Sequence, residues 1–331
     1  MNQSLKLKRL LLVLASGLSL AAAATPALAQ EGPFPNKPVR IIIAFKSGGA
    51  VDIVARTVGQ ALQQSLGQPF VVEYKPGAAT NIAIKALVDA PPDGYTLMLT
   101  ANNAAINPAL FNPPPFDPEK DFVPVSMVGR VPVVIAANTS FAAKTPADLV
   151  RMAKEKPGSL NFGSPGNAST PHLAFELFAR SAGIKLRHVP YQGGAPALND
   201  VMGGHLPLVV TNALEVSPLA QAGKVQVLAA LSAQRIPTLP NVPTIAESGY
   251  PGFEATVWYG FIAPRGTPPA IVNRLHGAIQ AALATPDVQA RMGQVGGTVS
   301  PGSVDMFANL LRSERERYTR LIRESGIKAD E

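Results

Sequence analysis

The sequence contains no cysteine among its 331 residues. This absence excludes disulfide bonds, thiolate zinc sites, iron–sulfur clusters and cysteine nucleophiles. Charged residues are also scarce, at 15%, and aromatic residues make up only 6%. The formal net charge is +7, but the basic residues are dispersed along the chain and are not interleaved with aromatic side chains. This pattern does not favour nucleic-acid binding, so we expect no nucleic-acid partner.

The first thirty residues have the pattern of an export signal. Lys6, Lys8 and Arg9 precede an apolar run from Leu10 to Ala24, and Ala27-Leu28-Ala29 offers a small-x-small cleavage site. The alternative is a membrane anchor, but a spanning helix needs about 20 apolar residues and this run is shorter. We therefore predict a cleavable signal peptide over residues 1–29. Because this segment holds three of the 29 basic residues and none of the 22 acidic ones, the rest of the chain carries +4.

Motifs of known enzymes are missing. The sequence has no G-x-S-x-G elbow, no His-Glu-x-x-His pair, no phosphate-binding loop and no G-x-G-x-x-G fingerprint. His172 and Glu176 are spaced i,i+4 and could contact a metal, although a surface pair or a helix-cap contact suits that spacing better. A serine–histidine hydrolase using Ser169 and His172 is kept as an alternative. We expect no enzymatic activity, no metal and no cofactor.

The remaining composition supports a large α/β protein. Apolar residues make up 47% of the chain and mean hydropathy is +0.15. Short β-branched runs alternate with helical patterns, which is typical of α/β layers around mainly parallel sheets. We predict two α/β lobes, residues 34–136 with 256–331 and residues 137–255, with crossings near 131–137 and 255–263. The same patterns predict a loop over 101–108 and two strands divided by Gly129 and Pro132.

Small and polar residues cluster where the predicted strands end. Six loops, at 45–52, 76–81, 100–103, 163–172, 191–196 and 211–213, are rich in Gly, Ser, Thr and Asn. Ligands of α/β proteins bind outside the carboxyl ends of parallel strands, and helix N-termini there favour anions such as carboxylates. The alternatives stay open: the glycines of Gly48-Gly49 could serve an ordinary turn, and Asp52, Ser169 or Thr170 could be a helix cap. Thr100, Asn102 and Asn212 are candidate ligand contacts on this ground.

Several longer motifs resemble those of one known family. They are Pro35–Ile43 with Gly48-Gly49 and Asp52, Leu66–Pro69, Lys75–Ala78, Pro-Asp-Gly-Tyr-Thr-Leu at 92–97, Phe116–Pro118, Asp121–Val125, His188–Tyr191, Gly203-Gly204 and Leu239–Thr244. This series resembles the Bug receptors, the periplasmic substrate-binding proteins of tripartite tricarboxylate transporters. The resemblance runs from about Phe34 to Ile327.

The resemblance implies a type II periplasmic-binding-protein fold, in which two α/β lobes are joined by two hinge strands and close around a ligand. It implies a periplasmic receptor that captures a small organic carboxylate and delivers it to the membrane components of a tripartite tricarboxylate transporter. A monomer is expected. A sensory role, in which the liganded receptor docks on a membrane sensor, is the alternative. The contacts carried over from the family are Phe45, Ser47, Gly48, Gly49, Asp52, Ala78, Thr80, Ser164, Ser169, Thr170, His172, Tyr191, Ala195 and Asp200.

The sequence departs from the family pattern in two of these loops. Lys46-Ser47 stand where the family usually has two residues such as Pro-Pro, and Ala79-Thr80 stand where it has Gly-Gly. Lys46 could form an ion pair with a di- or tricarboxylate or could point to solvent, and we include it among the candidate contacts. Thr80 adds a hydroxyl group and bulk, so the ligand preference is expected to differ from that of relatives.

Overall fold

The computed structural model describes residues 34–294 and 296–325, and the predicted signal peptide lies outside these residues. The strands are β1 (Val39–Ile43), β2 (Phe70–Tyr74), β3 (Thr96–Thr100), β4 (Phe122–Ala137), β5 (Asn161–Ser164), β6 (Arg187–Pro190), β7 (Leu208–Asn212), β8 (Gln226–Ala230), β9 (Thr256–Pro264) and β10 (Thr298–Val299). The helices are α1 (Ala50–Leu66), α2 (Asn81–Val88), α3 (Asn103–Leu110), α4 (Pro146–Glu155), α5 (Thr170–Ala182), α6 (Gly194–Met202), α7 (Ala213–Gln221), α8 (Pro269–Ala284), α9 (Pro286–Gln294) and α10 (Val304–Ser325). A short 3₁₀ turn, Ala78–Thr80, precedes α2.

The strands form two parallel groups joined by antiparallel strands. Their order is β2-β1-β3-β9-β4-β7-β5-β6, with β8 and β10 also paired to β4. β1 is parallel to β2 and β3, and β5 is parallel to β6 and β7. β9 and β4 run antiparallel to their neighbours between these groups. The alternation of strands and helices therefore produces the predicted α/β class.

β4 is one continuous strand, so the predicted division at Gly129 and Pro132 is wrong. Residues 122–132 pair with β9, and residues 133–137 pair with β7 and β8. Gly129 is needed because the backbone of Thr298 in β10 crosses where a side chain would lie. Thus Gly129 marks the place where β10 lies against β4, and Pro132 marks the place where β4 changes its pairing partner. Neither residue forms a turn.

Two helices are missing from the sequence prediction. α3 occupies the predicted loop over 101–108, and Ala104, Ala105 and Ile106 in it are fully buried. α7 follows β7 directly and, like α3, contains an internal proline, Pro218. Proline disfavours a helix interior, but tertiary packing overrides that preference in both segments.

The core of the first group of strands is closed by the last helix. Trp258 of β9 meets Phe307 of α10 edge to face, with ring centroids 5.5 Å apart, and both residues are fully buried. Gly260 is required beside them because an added methyl group would overlap the Phe307 ring. A polar contact fixes the same helix, since Asn102 donates to Glu314 at 3.1 Å. The C-terminal helix therefore packs on β4, β9 and α3.

Within residues 34–294 and 296–325, every helix is too short or too polar to cross a membrane.

Candidate functional site

Two cavities lie among the strand-end loops. The first, here called the Glu215 cavity, has a volume of about 30 Å³ and is lined by Phe45, Gly49, Ala50, Val51, Ala101, Asn103, Pro165, Ser169, Thr170, Pro171, Gly194, Asn212, Glu215, Val257 and Tyr259. The second, the Ala78 cavity, has a volume of about 400 Å³ and is lined by Ala44, Phe45, Gly77, Ala78, Ala79, Thr80, Asn81, Phe111, Pro165, Gly166, Asn167, Pro190, Tyr191 and Gln192. Phe45 and Pro165 belong to both walls, so the cavities adjoin.

Eight of the predicted contact residues line these cavities. Those in the Glu215 cavity are Phe45, Gly49, Ser169, Thr170 and Asn212. Those in the Ala78 cavity, besides Phe45, are Ala78, Thr80 and Tyr191. Loops after β1 and β2 thus meet loops after β5, β6 and β7 around one shared space. The two loop sets are also bonded directly, because the backbone N–H of Lys46 donates to the carbonyl of Gln192 at 2.9 Å.

The other predicted contact residues lie outside both linings. They are Lys46, Ser47, Gly48, Asp52, Thr100, Asn102, Ser164, His172, Ala195 and Asp200. The side chains of Lys46 and Ser47 are exposed to solvent. Ala195 faces Gly48 across the join between the two loop sets, where an added methyl group on Gly48 would lie 3.5 Å from the Ala195 Cβ.

Asp52 is buried and already has three protein partners. Its carboxylate accepts the N–H of Gly48 at 2.9 Å, the Nε–H of Arg56 at 2.9 Å and the hydroxyl of Tyr74 at 2.9 Å. A carboxylate in the first turn of α1 also interacts favourably with the helix dipole. The sequence analysis left two roles open for Asp52, a ligand contact or a helix cap. Its contacts within the protein match the structural role.

Four more candidates form bonds within the protein. The side chain of Asn102 donates to Glu314 of α10 and accepts the backbone N–H of Trp258 at 3.1 Å. Ser164 bonds His188 at 2.7 Å, and Tyr191 donates to Asp200 at 2.6 Å. Burial lowers the pKa of His188 to about 4, so this imidazole is neutral at pH 7.

The hydrolase alternative lacks its geometry. Ser169 Oγ accepts the backbone N–H of His172 at 3.4 Å, as an N-cap does. The Nδ1 atom of His172 accepts the N–H of Ala168 at 3.2 Å, and its ring stacks on His188 at 3.8 Å. A serine nucleophile needs its hydroxyl bonded to a basic imidazole nitrogen, and these contacts give Ser169 and His172 structural roles instead.

The most unusual side chain of the site, Glu215, was missed by the sequence analysis. It lies in the first turn of α7 and is only 8% exposed. Its Oε1 accepts the N–H of Ala50 at 2.8 Å, and its Oε2 accepts the hydroxyl of Thr211 at 3.2 Å. Burial raises the pKa of Glu215 to about 7, against the opposing effect of these donors and of Asn212.

The carboxyl group of Glu215 lies between the starts of two helices. Ala50 is the first residue of α1, and Gly194 is the first residue of α6. Residue 194 has to be glycine, because the methyl group of any larger residue would overlap both Glu215 and Thr211. The backbone N–H of Ala50, at the start of α1, was expected to bind an anionic ligand. In the structure it donates to the carboxyl group of Glu215 instead.

Two polar atoms in the wall of the Glu215 cavity have no hydrogen-bond partner within the described part of the chain. They are the hydroxyl oxygen of Thr170 and the amide oxygen of Asn212, on side chains that are 3% and 5% exposed. Unsatisfied buried polar groups are rare and cost about 1–3 kcal/mol each. Their location beside a cavity makes them candidate contacts for a ligand or an ordered water.

The wall of the Ala78 cavity carries backbone strain. Ala78, Ala79 and Thr80 have φ angles of 46°, 49° and 79°, in the left-handed region that glycine adopts most readily. Strain of this kind persists where the surroundings enforce it and clusters at ligand sites. Asn107 holds the turn by donating to the carbonyl of Ala79 at 2.7 Å.

Known proteins match most of the chain in sequence and in structure. A model of the tripartite tricarboxylate transporter family receptor matches residues 54–327. The solved structure of the periplasmic binding protein BugD is 32% identical, with a TM-score of 0.86, covering 90% of this chain and 100% of that one. The resemblance predicted from the sequence motifs is confirmed.

Two similar structures hold ligands. Rpa4515 of R. palustris with adipate is 33% identical, with a TM-score of 0.86, covering 89% of this chain and 99% of that one. MatC from Rhodopseudomonas palustris with bound malate is 30% identical, with a TM-score of 0.83, covering 87% of this chain and 100% of that one. These likenesses confirm the predicted periplasmic-binding-protein fold.

Proposed function

We propose, from the premise that this chain belongs to the tripartite tricarboxylate transporter receptor family, that it is a periplasmic receptor for a small organic carboxylate. Its similarity to the proteins solved with adipate and malate supports this class of ligand. The observation that carries the proposal is the shared lining of the two cavities. Loops from both groups of parallel strands contribute to it, so one ligand can contact both groups at once.

Binding would act by closing one group of strands on the other. β4 changes partners between Pro132 and Val133, and the N–H of Ala255, just before β9, bonds Leu231 at 2.7 Å. We place the hinges at these two points, with residues 34–136 and 256–331 forming one lobe and 137–255 the other. A ligand that contacts both lobes binds the closed form more tightly and shifts the population towards it.

The Ala78 cavity is the larger part of the proposed site. Its volume of about 400 Å³ is within the usual range for small-molecule pockets. Backbone groups of the strained turn, together with Asn167 and Gln192, would hold the carboxylate. The buried amide oxygen of Asn167 has no partner in the structure, so a bridging water or a ligand hydroxyl group would satisfy it.

The remaining parts of the proposal concern the protein's setting. Residues 1–29 would direct export and be removed, and the rest of the chain would act as a monomer in the periplasm. Its partners would be the membrane components of the transporter. No reaction is needed in this role, because capture and release depend only on lobe closure.

Calorimetric titration with mono-, di- and tricarboxylates, adipate and malate included, tests this function. The single tryptophan gives a second readout, since Trp258 is flanked by Val257 and Tyr259 of the cavity wall. We expect saturable binding by at least one acid, a change in Trp258 fluorescence and a smaller radius of gyration in X-ray scattering. Failure of every acid to bind, with one unchanged scattering profile, would contradict the proposal.

A further inference from the structure

The Glu215 cavity has the wrong chemistry for the carboxylate of a ligand. Its acidic group already occupies the N–H of Ala50 at the start of α1, and a second carboxylate beside it would be repelled in a low-dielectric site. Its volume of about 30 Å³ is also small. One water-sized group needs about 10–15 Å³, so this space suits a compact head group of one or two heavy atoms.

The wall of the Glu215 cavity contains side-chain oxygen atoms that can accept hydrogen bonds, and its described residues include no cationic side chain. Glu215 accepts hydrogen bonds from Ala50 and Thr211 and a longer one, at 3.5 Å, from Asn212, so about one of the four acceptor positions of its carboxylate stays open. The oxygens of Asn212 and Thr170 are buried in the same wall without partners. Among residues 34–294 and 296–325, neither a lysine nor an arginine lines this cavity. Three oxygen-bearing side chains therefore line one small space, and a donor with several N–H groups and a positive charge would complement them.

We propose that Glu215, Asn212 and Thr170 bind a protonated amino group, so that this receptor selects organic carboxylates that also carry an amine. This inference rests on the proposed receptor function and specifies its ligand class. A primary ammonium group has three donors and is close to a water molecule in size. The carbon skeleton and carboxylate of the same ligand would lie in the adjoining Ala78 cavity.

The raised pKa of Glu215, about 7 in the unliganded protein, agrees with this assignment. A buried carboxylate without a cation is costly, and an ammonium group would supply the missing counter-charge. Tyr259 is the other titratable side chain in the lining, and burial together with Glu215 raises its pKa well above 10, so it stays neutral. Ammonium binding is therefore expected to depend on the ionisation of Glu215 alone within this wall.

Matched probes of equal skeleton test the inference at pH 8. The sets are succinate, malate and aspartate; glutarate, 2-hydroxyglutarate and glutamate; and adipate with 2-aminoadipate. We expect the amino member of at least one set to bind ten-fold or more tightly than its partners. Glu215→Gln should reduce that ratio at least ten-fold, while Glu247→Gln, at an exposed carboxylate paired with Arg235, should leave it unchanged.

The outcomes separate the two proposals. If unsubstituted acids bind as well as or better than their amino partners, the amine inference is wrong and the carboxylate receptor stands. An amino preference that survives Glu215→Gln would remove Glu215 from the site. Absence of binding by every probe would overturn both proposals. Should Glu215→Gln fail to fold, the comparison within each set on the unmodified protein still decides the question.

Discussion

Glu215 should make the unliganded protein less stable as pH rises from about 4.5 to 7. The pKa of Glu215 is about 7 in the folded protein and has its ordinary value of 4.5 in the unfolded chain, so the folded state binds this proton more tightly than the unfolded state does. Below pH 4.5 both states hold the proton, and above pH 7 both lose it. Stability therefore falls between these values, by about 3 kcal/mol at 1.36 kcal/mol per pKa unit.

The assay is urea unfolding of the unmodified protein and of Glu215→Gln at pH 5 and pH 8. We expect the difference in unfolding free energy between the two proteins to change by about 2–3 kcal/mol in favour of the glutamine variant at pH 8. Glu247 provides a control, because Thr244 and Arg235 lower its pKa, so it stays ionised at both pH values and Glu247→Gln should show the same difference at pH 5 and pH 8. A difference that is the same at both pH values would refute the assignment of a protonated, uncompensated Glu215.

Three other substitutions test separate parts of the structure. Asp52→Asn should lower stability by about 1–3 kcal/mol through weakened charged hydrogen bonds, yet keep ligand affinity within about threefold; a larger loss in calorimetry would return Asp52 to the ligand site. Gly260→Ala should lower the unfolding free energy by about 1–3 kcal/mol by overpacking against Phe307, and shortening Phe307 to leucine in the same protein should recover part of it. Thr145→Ala removes the cap bonded to Asp148 at 3.1 Å and should cost about 1 kcal/mol without changing ligand binding; an unchanged melting temperature would show that this cap is not stabilising.

The location of the site could be predicted because it follows from topology. Parallel strands present their carboxyl ends at the same edge, so the loops after Ile43 and Ser164 carry ligand-facing residues even though they are far apart in sequence. The glycine and hydroxyl content of these loops then marks them. Ser169 and Thr170 illustrate the limit of this approach, since the same residues can cap a helix or face a ligand. In the structure Ser169 caps the helix and also lies in the cavity wall.

Glu215 could not be found while α7 was missed. Proline disfavours a helix interior, and Pro218 lies inside α7. Asn212 was placed at the end of a strand and not at the start of a helix. One sequence pattern was available: Asn212 and Glu215 are spaced as the first and last residues of a capping box, and Gly223 follows where the helix has ended. That pattern indicates a helix start but would have assigned Glu215 to the cap. Its contact with Ala50, 165 residues away in the sequence, needed the folded structure.

The contacts of Ala50 also change how carboxylate recognition must work in this chain. Free amides at a helix start usually favour an anionic ligand, but at the start of α1 Asp52 takes the N–H of Gly48 and Glu215 takes that of Ala50. Both carboxyl groups are buried, so a carboxylate of the ligand would find neither of these two N–H groups free at the start of α1. The strained turn at Ala78–Thr80 lines the larger cavity away from Glu215. Under the amine proposal, a ligand with an ammonium group beside Glu215 and a carboxylate in the Ala78 cavity would satisfy both cavities, whereas an acid without an amine would leave Glu215 without a counter-charge.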